Sequence, residues 1–558
     1  MTRTQTHFRN SRTTSPVPSI SPIDEALDMG KRNIGYGSLL VELVQLAAPS
    51  MITVAMVFLL SGITFAFTGH LIGTDAVGPV SISFFFISIV ALYPGSGIAF
   101  AVDTLCSQEY GRKPMSDIQG EIAQRSLLIA TVGMIPISIA LQFTGVLLRQ
   151  WYEVQVADAA AEWIRYSPLM VLPTLYSTTL AKFLCNQFLP HLPMIALCGA
   201  FGSLPFFQWY FIPKYGIVGS CLGLAGAAWV QLAILVVLIL FNKDARTRFG
   251  SFSWDRVMQK SEFIIFLQLG LPSVVFVCAE SAAFDVTALV AAQLSSVETA
   301  AWTMMLSTFL IADCVCSGIS IAACALVGRA LGENSPRTAV RIAITAVTVT
   351  FLWSLFDALL LYRYHRAVFG LFTQDAKVLE AASSIAWIIV PLHVSDSVQF
   401  AFQGIFSGAG QNHFGAAALV TCLWGGGVGS IFYLLRNGYG LLGVPLGLTI
   451  GLVLCCPVLA FLCFYWFDWK LLAEVISLEE EVAAEEGIPG LRGSFGAFPH
   501  GYGSFGLTNQ SNHHSTFASH SVHDSTGFGG KGLTSAPGTF VSAPMSYGTI
   551  EMQQLRQE

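Results

Sequence analysis

The sequence predicts an all-α polytopic membrane protein. It has twelve transmembrane helices in two parallel six-helix repeats, followed by a disordered cytosolic C-terminal tail. Three observations predict it. The 558 residues are 54% hydrophobic and only 11% charged, against roughly 25% charged in an ordinary soluble domain. The apolar residues gather into twelve runs, each near the ~20 residues that cross a bilayer. Matching short motifs recur in the two halves at one shared offset. A net charge of −6 without a basic stripe gives no sign of nucleic-acid binding.

Residues 1–38 form a polar N-terminal segment rich in Ser, Thr and Arg. It holds no apolar h-region, so no cleavable signal peptide is expected. The N-terminal lobe, 39–241, contains predicted spans at 43–68, 77–104, 122–148, 164–188, 192–212 and 218–241. The loop 242–262 carries five basic residues and joins the lobes. The C-terminal lobe, 263–466, contains spans at 263–291, 301–327, 339–361, 383–408, 413–435 and 441–466. Arg112, Lys113, Lys243, Arg246, Arg248, Arg256, Lys260, Arg329 and Arg337 fall in segments on the side of the N-terminus. The opposite loops hold far fewer cations, so the positive-inside rule puts both termini in the cytosol.

The repeat rests on position. Leu46-Ala-Ala-Pro-Ser50 matches Leu269-Gly-Leu-Pro-Ser273, and Gly216-Ile-Val-Gly219 matches Gly440-Leu-Leu-Gly443. These pairs lie 223 and 224 residues apart (269 less 46, 440 less 216). Gly111-Arg-Lys-Pro114 and Gly332-Glu-Asn-Ser-Pro336 share nearly that spacing. Six spans per repeat is an even number, so both halves enter the membrane in the same direction. Their symmetry axis then runs along the membrane normal, with a site at mid-depth between them.

The tail, 467–558, has another composition. Leu478–Glu486 is acidic and reads as a short helix, and the remainder is rich in Gly, Ser, Phe and His. Such material cannot bury enough apolar surface to fold alone. The 12 cysteines show neither disulfide nor zinc spacing, so free buried thiols are expected.

Charges inside spans carry the chemistry. Glu280 and Asp285 are the only charges from Phe263 to Ala292, and Asp396 sits within another apolar run. A charge at the bilayer centre costs at least ~2.5–3.5 kcal/mol, so such acids commonly face a cavity and act there. Five residues put Glu280 and Asp285 about 140° apart on a helix, on different faces. Pro272 can bend the helix that carries them. His393 lies one turn before Asp396, and an Asp–His pair can hold and pass a proton. Asp103 is read as holding the loop after span 2, Asp357 as a wet residue near an outer end, and Asp313 as without an assigned role. Trp302 and Trp424 are read as interfacial anchors, with stacking on an organic cation as the alternative.

These residues resemble the multidrug and toxic compound extrusion family, in its eukaryotic branch. The likeness rests on Gly97-Ile-Ala-Phe-Ala-Val-Asp-Thr-Leu-Cys-Ser-Gln-Glu-Tyr-Gly111, Gly318-Ile-Ser-Ile-Ala-Ala-Cys-Ala-Leu-Val-Gly-Arg-Ala-Leu-Gly332 and Gly404-Ile-Phe-Ser-Gly-Ala-Gly-Gln411. It covers roughly residues 39–467. The resemblance implies an exporter of organic cations coupled to H⁺, or in some members Na⁺, with no further cofactor. Its span 7 pattern falls on Cys278, Glu280, Phe284 and Asp285, and its span 10 pair on His393 and Asp396. Proton or cation coupling is thus expected at Glu280, Asp285, Asp396 and His393, and cavity lining at Phe284, Gln399 and Asp313. Ser281 and Ala282 replace the family's two Trp, Ser307 its span 8 Glu and Cys316 its span 8 Pro.

The leading expectation is a proton-coupled exporter working by alternating access as a monomer in the lipid bilayer. The alternatives are an organic-anion or amphipathic-lipid carrier of the same superfamily, or a membrane receptor. No nucleophile, metal or phosphate motif points to an enzyme. Tyr502-Gly-Ser-Phe505 and Tyr547-Gly-Thr-Ile550 fit sorting signals, leaving plasma membrane and an endolysosomal or vacuolar membrane both open.

Overall fold

A computed structural model describes residues 35–485, with side chains described to residue 477. The polar N-terminal segment, both Tyr-based signals and the tail histidines lie outside these residues. All regular secondary structure described is helical. The long helices are α1 Tyr36–Leu71, α2 Thr74–Arg112, α3 Ile118–Leu141, α4 Pro168–Cys185, α5 His191–Tyr215, α6 Ile217–Phe241, α7 Lys260–Ala291, α8 Ser296–Gly332, α9 Pro336–Phe369, α10 Ala376–Ala409, α11 Asn412–Arg436 and α12 Gly440–Trp466. All but α4 are long and apolar enough to cross a membrane by those criteria alone; α4 has 18 residues and includes Lys182. A thirteenth helix, α13 Trp469–Glu485, takes in most of the acidic run.

Most helices overrun the apolar stretches that announce them, because the i→i−4 ladder needs no apolar side chain once started. The fourth span differs. A separate helix, Val154–Tyr166, buries Trp163 and hands over at Ser167 to α4, whose first residue is Pro168. Proline suits a first helical position, where its missing N–H is not needed. The Trp163 indole donates to Ser220 Oγ at 2.8 Å, tying this helix to α6. Val132, Ile135 and Ile139 on α3, and Leu352, Phe356 and Leu359 on α9, are each at least 50% exposed. Apolar stripes of this size suit lipid rather than water.

The two halves pack about a pseudo-two-fold axis. A Cβ on Gly111 of α2 would lie 2.1 Å from the Arg329 carbonyl oxygen of α8, and a Cβ on Gly332 of α8 would lie 2.1 Å from the Gln108 carbonyl oxygen of α2. The two contacts are mirror statements of each other at an offset of 221 (332 less 111, 329 less 108). Likewise Gly97 of α2 meets the Val274 backbone of α7, while Gly318 of α8 meets Met51 of α1. Gly216 and Gly440, φ 56° and 54°, make matching turns into α6 and α12. L residues rarely adopt that region. Helices cross between lobes too: Leu39, Leu43 and Leu46 of α1 pack into the C-terminal core, and Phe266 of α7 packs into an N-terminal one.

The 242–262 connector forms two short helices, Lys243–Phe249 and Trp254–Val257. Buried Arg125 of α3 holds it by donating to the Val257 and Arg256 carbonyls at 3.0 and 3.2 Å. At this end the lobes are joined closely. Thr104 Oγ1 donates to the Ser407 carbonyl at 2.6 Å, Gln108 Nε2 to that of Gly408 at 3.0 Å, and Arg329 to Glu42 at 2.6 Å.

Candidate functional site

The buried carboxylates converge in the C-terminal lobe, where α7, α8, α9 and α10 meet. Glu280 Oε2 accepts from Gln403 Nε2 at 2.9 Å, and its other oxygen has no hydrogen-bond partner. Gln399 adjoins it without a well-formed hydrogen bond. Asp285 turns the other way, as the 140° spacing requires; it is half-buried and has the Tyr93 hydroxyl of α2 beside it. Tyr93 follows a π-helical turn, Ser88–Leu92. A second π-helical stretch, Val420–Val428, holds Trp424, whose indole donates to the Ala279 carbonyl at 2.8 Å, beside Glu280. π-Helical insertions shift side chains off the regular register and recur at functional sites.

His393 bridges two acids. Its Nδ1 lies 3.1 Å from Asp313 Oδ1 and its Nε2 3.0 Å from Asp357 Oδ1. Asp313 Oδ1 also accepts from Ser397 Oγ at 3.2 Å. The Asp396 carboxyl faces that of Asp313 rather than His393. Two facing carboxyls repel when both are ionised, and one proton between them turns repulsion into a hydrogen bond. Phe309 packs edge-on against the imidazole at 5.5 Å, and Phe284 stacks on Phe309 at 5.6 Å. No Lys or Arg ion-pairs with Glu280, Asp313 or Asp396 among the described residues.

Several placements differ from the sequence reading. Asp357 is not simply wet but is bonded to His393, with its side chain 15% exposed. Asp313 stands at the centre of the network. His393 reaches α8 and α9 instead of pairing with Asp396, because the helix directs the imidazole into the α8–α9 groove. Asp103 does not hold a loop: it pairs with Lys182 and accepts from Asn186 Nδ2 at 2.8 Å, clasping α2 to α4. Trp302 is no interfacial anchor; it is buried and donates to Thr287 Oγ1 at 3.0 Å. Gln399 and Asp313 are buried in the network, while Phe284 is half-buried. The cysteines are all free.

Asp313, Cys316 and His393 bring ligand-type atoms within 4.8 Å of one another. A metal on Nδ1 would have to displace the Asp313 contact. At the end of the C-terminal lobe away from the connector, a cleft of about 870 Å³ opens, lined by Ser296, Thr299, Thr303, Ser307, Phe372 and Thr373 among others. Tyr93, Gln403 and Asp357 are the participants the sequence reading misses. Only Asp357 leaves a signal there, as the lone charge between Trp353 and Tyr362.

The MatE family model matches residues 49–209 and 272–428, one stretch in each lobe. Multidrug and toxin extrusion protein 1 of Rattus norvegicus is 26% identical over 479 residues, covering 82% of this chain and 81% of the relative. The Homo sapiens protein of the same name is 25% identical over 448 residues, covering 77% and 75%. Among solved structures, the eukaryotic MATE transporter AtDTX14 superimposes with a TM-score of 0.74 at 21% identity, covering 80% of this chain and 100% of that one. A MOP superfamily transporter from Pyrococcus furiosus gives 0.69 at 18% identity, covering 80% and 99%. With a family match in both lobes and twelve helices in two repeats, the chain belongs to the MatE family of multidrug and toxin extrusion transporters.

Proposed function

We propose that the protein exports organic cations in exchange for protons, by alternating access between the lobes, with Glu280, Asp285, Asp396 and His393 as the exchange site. The supporting observation is the cluster of buried carboxylates at Glu280, Asp313 and Asp396, with which no Lys or Arg among the described residues ion-pairs. Such a cluster tolerates burial when protons or an incoming cation compensate its charge. Substrate and proton then compete for the same negative charge, and that competition couples their movements without a chemical step. One pH unit across the membrane is worth about 1.4 kcal/mol per proton, enough to support a tenfold substrate gradient.

An anion carrier would need uncompensated cations near the cavity. Buried Arg125 and Arg248 and half-buried Lys182 and Arg329 instead lie toward the connector end and are engaged there. The same reading places both termini in the cytosol, where the basic connector end sits, and has the chain work as a monomer. The test is efflux of a fluorescent organic cation from proteoliposomes under H⁺ and Na⁺ gradients applied separately. Efflux driven by the H⁺ gradient alone is expected. Glu280→Gln and Asp396→Asn should abolish it while the protein stays folded, and near-normal efflux in both would overturn the reading.

A further inference from the structure

The network has one member that reaches its surface, and that member lies on a helix the exchange site does not use. Along the chain of contacts Asp357–His393–Asp313, side-chain exposure runs 15%, 0% and 5%. Nε2 is hydrogen-bonded to Asp357 Oδ1 at 3.0 Å, and Nδ1 lies 3.1 Å from Asp313 Oδ1, close enough for a small rotation to align a proton between them. From Asp313 the line continues to Asp396, and the charge of Glu280 acts on Asp396 in turn. Phe309 and Phe284 cover one side of the ring. The groups facing His393 are Asp313 and Cys316 of α8 and Asp357 of α9. Asp396 lies on its own helix, with Glu280 of α7 and Cys456 of α12 nearby.

We propose that Asp357 and His393 form a proton path, distinct from the substrate route, between the flank of α9 and the buried carboxyls Asp313 and Asp396. This rests on the proton-exchange reading above. In the transfer, protonated Asp357 gives its proton to His393 Nε2, forming an N–H bond as its O–H bond breaks. His393 releases the proton on Nδ1 to Asp313 Oδ1, forming an O–H bond there. One proton has moved inward, Asp357 is again a carboxylate, and the imidazole is neutral in its other tautomer. In the opposite conformation Asp357 faces the other side of the membrane; the reverse hop then carries the proton from Asp313 back through His393 to Asp357, delivers it there and restores the first tautomer. No water needs to enter among the buried acids. Asp357 relays the proton in this scheme and does not have to touch substrate; His393, a member of the exchange site, joins it to the carboxyls.

The separation of paths has a signature. pH-gradient-driven transport requires the carboxyls to exchange protons in every cycle. Substrate-for-substrate counterflow at equal pH does not, since one cation replaces another on the same charge. Asp357→Asn keeps the shape and a hydrogen bond to His393 but cannot carry an acidic proton. In proteoliposomes holding the full chain, Asp357→Asn is expected to slow pH-driven efflux of the fluorescent cation at least tenfold. Counterflow should stay within twofold of the parent, and Asp357→Glu should restore the pH-driven rate. Full-rate pH-driven efflux in Asp357→Asn overturns the path. Equal loss of both modes, with Asp357→Glu failing alike, also overturns it and leaves Asp357 a packing role. A Glu280→Gln variant run beside them separates the two ideas. Normal pH-driven efflux there removes the exchange reading itself. A dead Glu280→Gln with a normal Asp357→Asn removes only the path.

Discussion

The same helix pair is built in two ways in the two lobes. In the C-terminal lobe, α10 lies on α8 through Gly404 and Gly408. A Cβ added there would fall 2.1 Å from the Ser320 carbonyl oxygen and 2.5 Å from that of Cys324. In the N-terminal lobe the corresponding pair is α4 on α2. The counterparts of those glycines are Lys182 and Asn186, at an offset of 222 (404 less 182, 408 less 186). These side chains span the gap to Asp103. One lobe closes its seam with backbone, the other with an ion pair and an amide. The titratable groups follow the same division. At the same offset, His393 and Asp396 correspond to Val171 and Thr174. Close backbone packing fixes α8 against α10 and so fixes the distances among Asp313, His393 and Asp396. The ion pair in the other lobe is already neutral as a unit and leaves no net charge for a proton or a substrate.

The largest expected effect tests whether the chemistry is one-sided. Glu280→Gln or Asp396→Asn should lower pH-driven efflux by ~100-fold or more, which is about 2.7 kcal/mol in rate terms. Thr174→Val, the substitution at the N-terminal counterpart of Asp396, should leave at least half the rate. Parity between Asp396→Asn and Thr174→Val in the proteoliposome assay would break the comparison.

The next effect concerns the seams. Gly404→Ala forces a methyl group into a carbonyl, and overpacking of this kind costs ~1–3 kcal/mol. Thermal melting of the solubilised protein should show the loss, together with reduced efflux because the acid network is displaced. In the other lobe, Asp103→Asn and Lys182→Met should each destabilise, since each strands a partly buried partner. The double variant should recover part of the loss, with a coupling of ~0.5–2 kcal/mol in the cycle. Strict additivity would show that the ion pair is not the clasp it resembles.

The smallest effect checks the symmetry itself. Gly216→Ala and Gly440→Ala place an L side chain at φ 56° and 54°, at a cost of ~1–2 kcal/mol each. Nearly equal shifts in melting temperature are expected. The turns ending α4 and α10 should not match: Phe188 at φ 63° corresponds to Gly410 at φ 72°. The Phe188 ring packs at a tilt against Tyr110, 5.0 Å between centroids, and lies under the Arg329 guanidinium at 4.6 Å. Phe188→Gly should therefore relieve backbone strain yet still destabilise, by about 1 kcal/mol, through the lost aromatic and cation–π contacts.

The fold was legible because hydropathy acts on every residue of a span and repetition doubles each signal. The turn glycines at 216 and 440 announced themselves in sequence and share a backbone conformation. Glu280, Asp285 and Asp396 were legible for an energetic reason, since an acid in an apolar run has few benign explanations. Their partners were not. Whether His393 meets Asp396, three residues along its own helix, or Asp313 and Asp357, from two other helices, depends on how α8, α9 and α10 are rotated. No local pattern records that rotation. Asp103 misled for the same reason: its partner Lys182 lies 79 residues on.

The glycine contacts between α2 and α8 at the connector end have a mechanical consequence. Gly111 and Gly332 each rest on the opposing main chain, so the join here is backbone against backbone, flanked by the side-chain bonds of Thr104, Gln108 and Arg329. Faces of that kind hold no trapped knob, and the Glu42–Arg329 pair and the hydrogen bonds beside it are polar contacts that water can replace. Under the proposed alternating access, such a join would open more like a zip than a lock. On that reading any residue larger than glycine at 111 or 332, whose Cβ would meet the opposing main chain, would hold the lobes apart at this end.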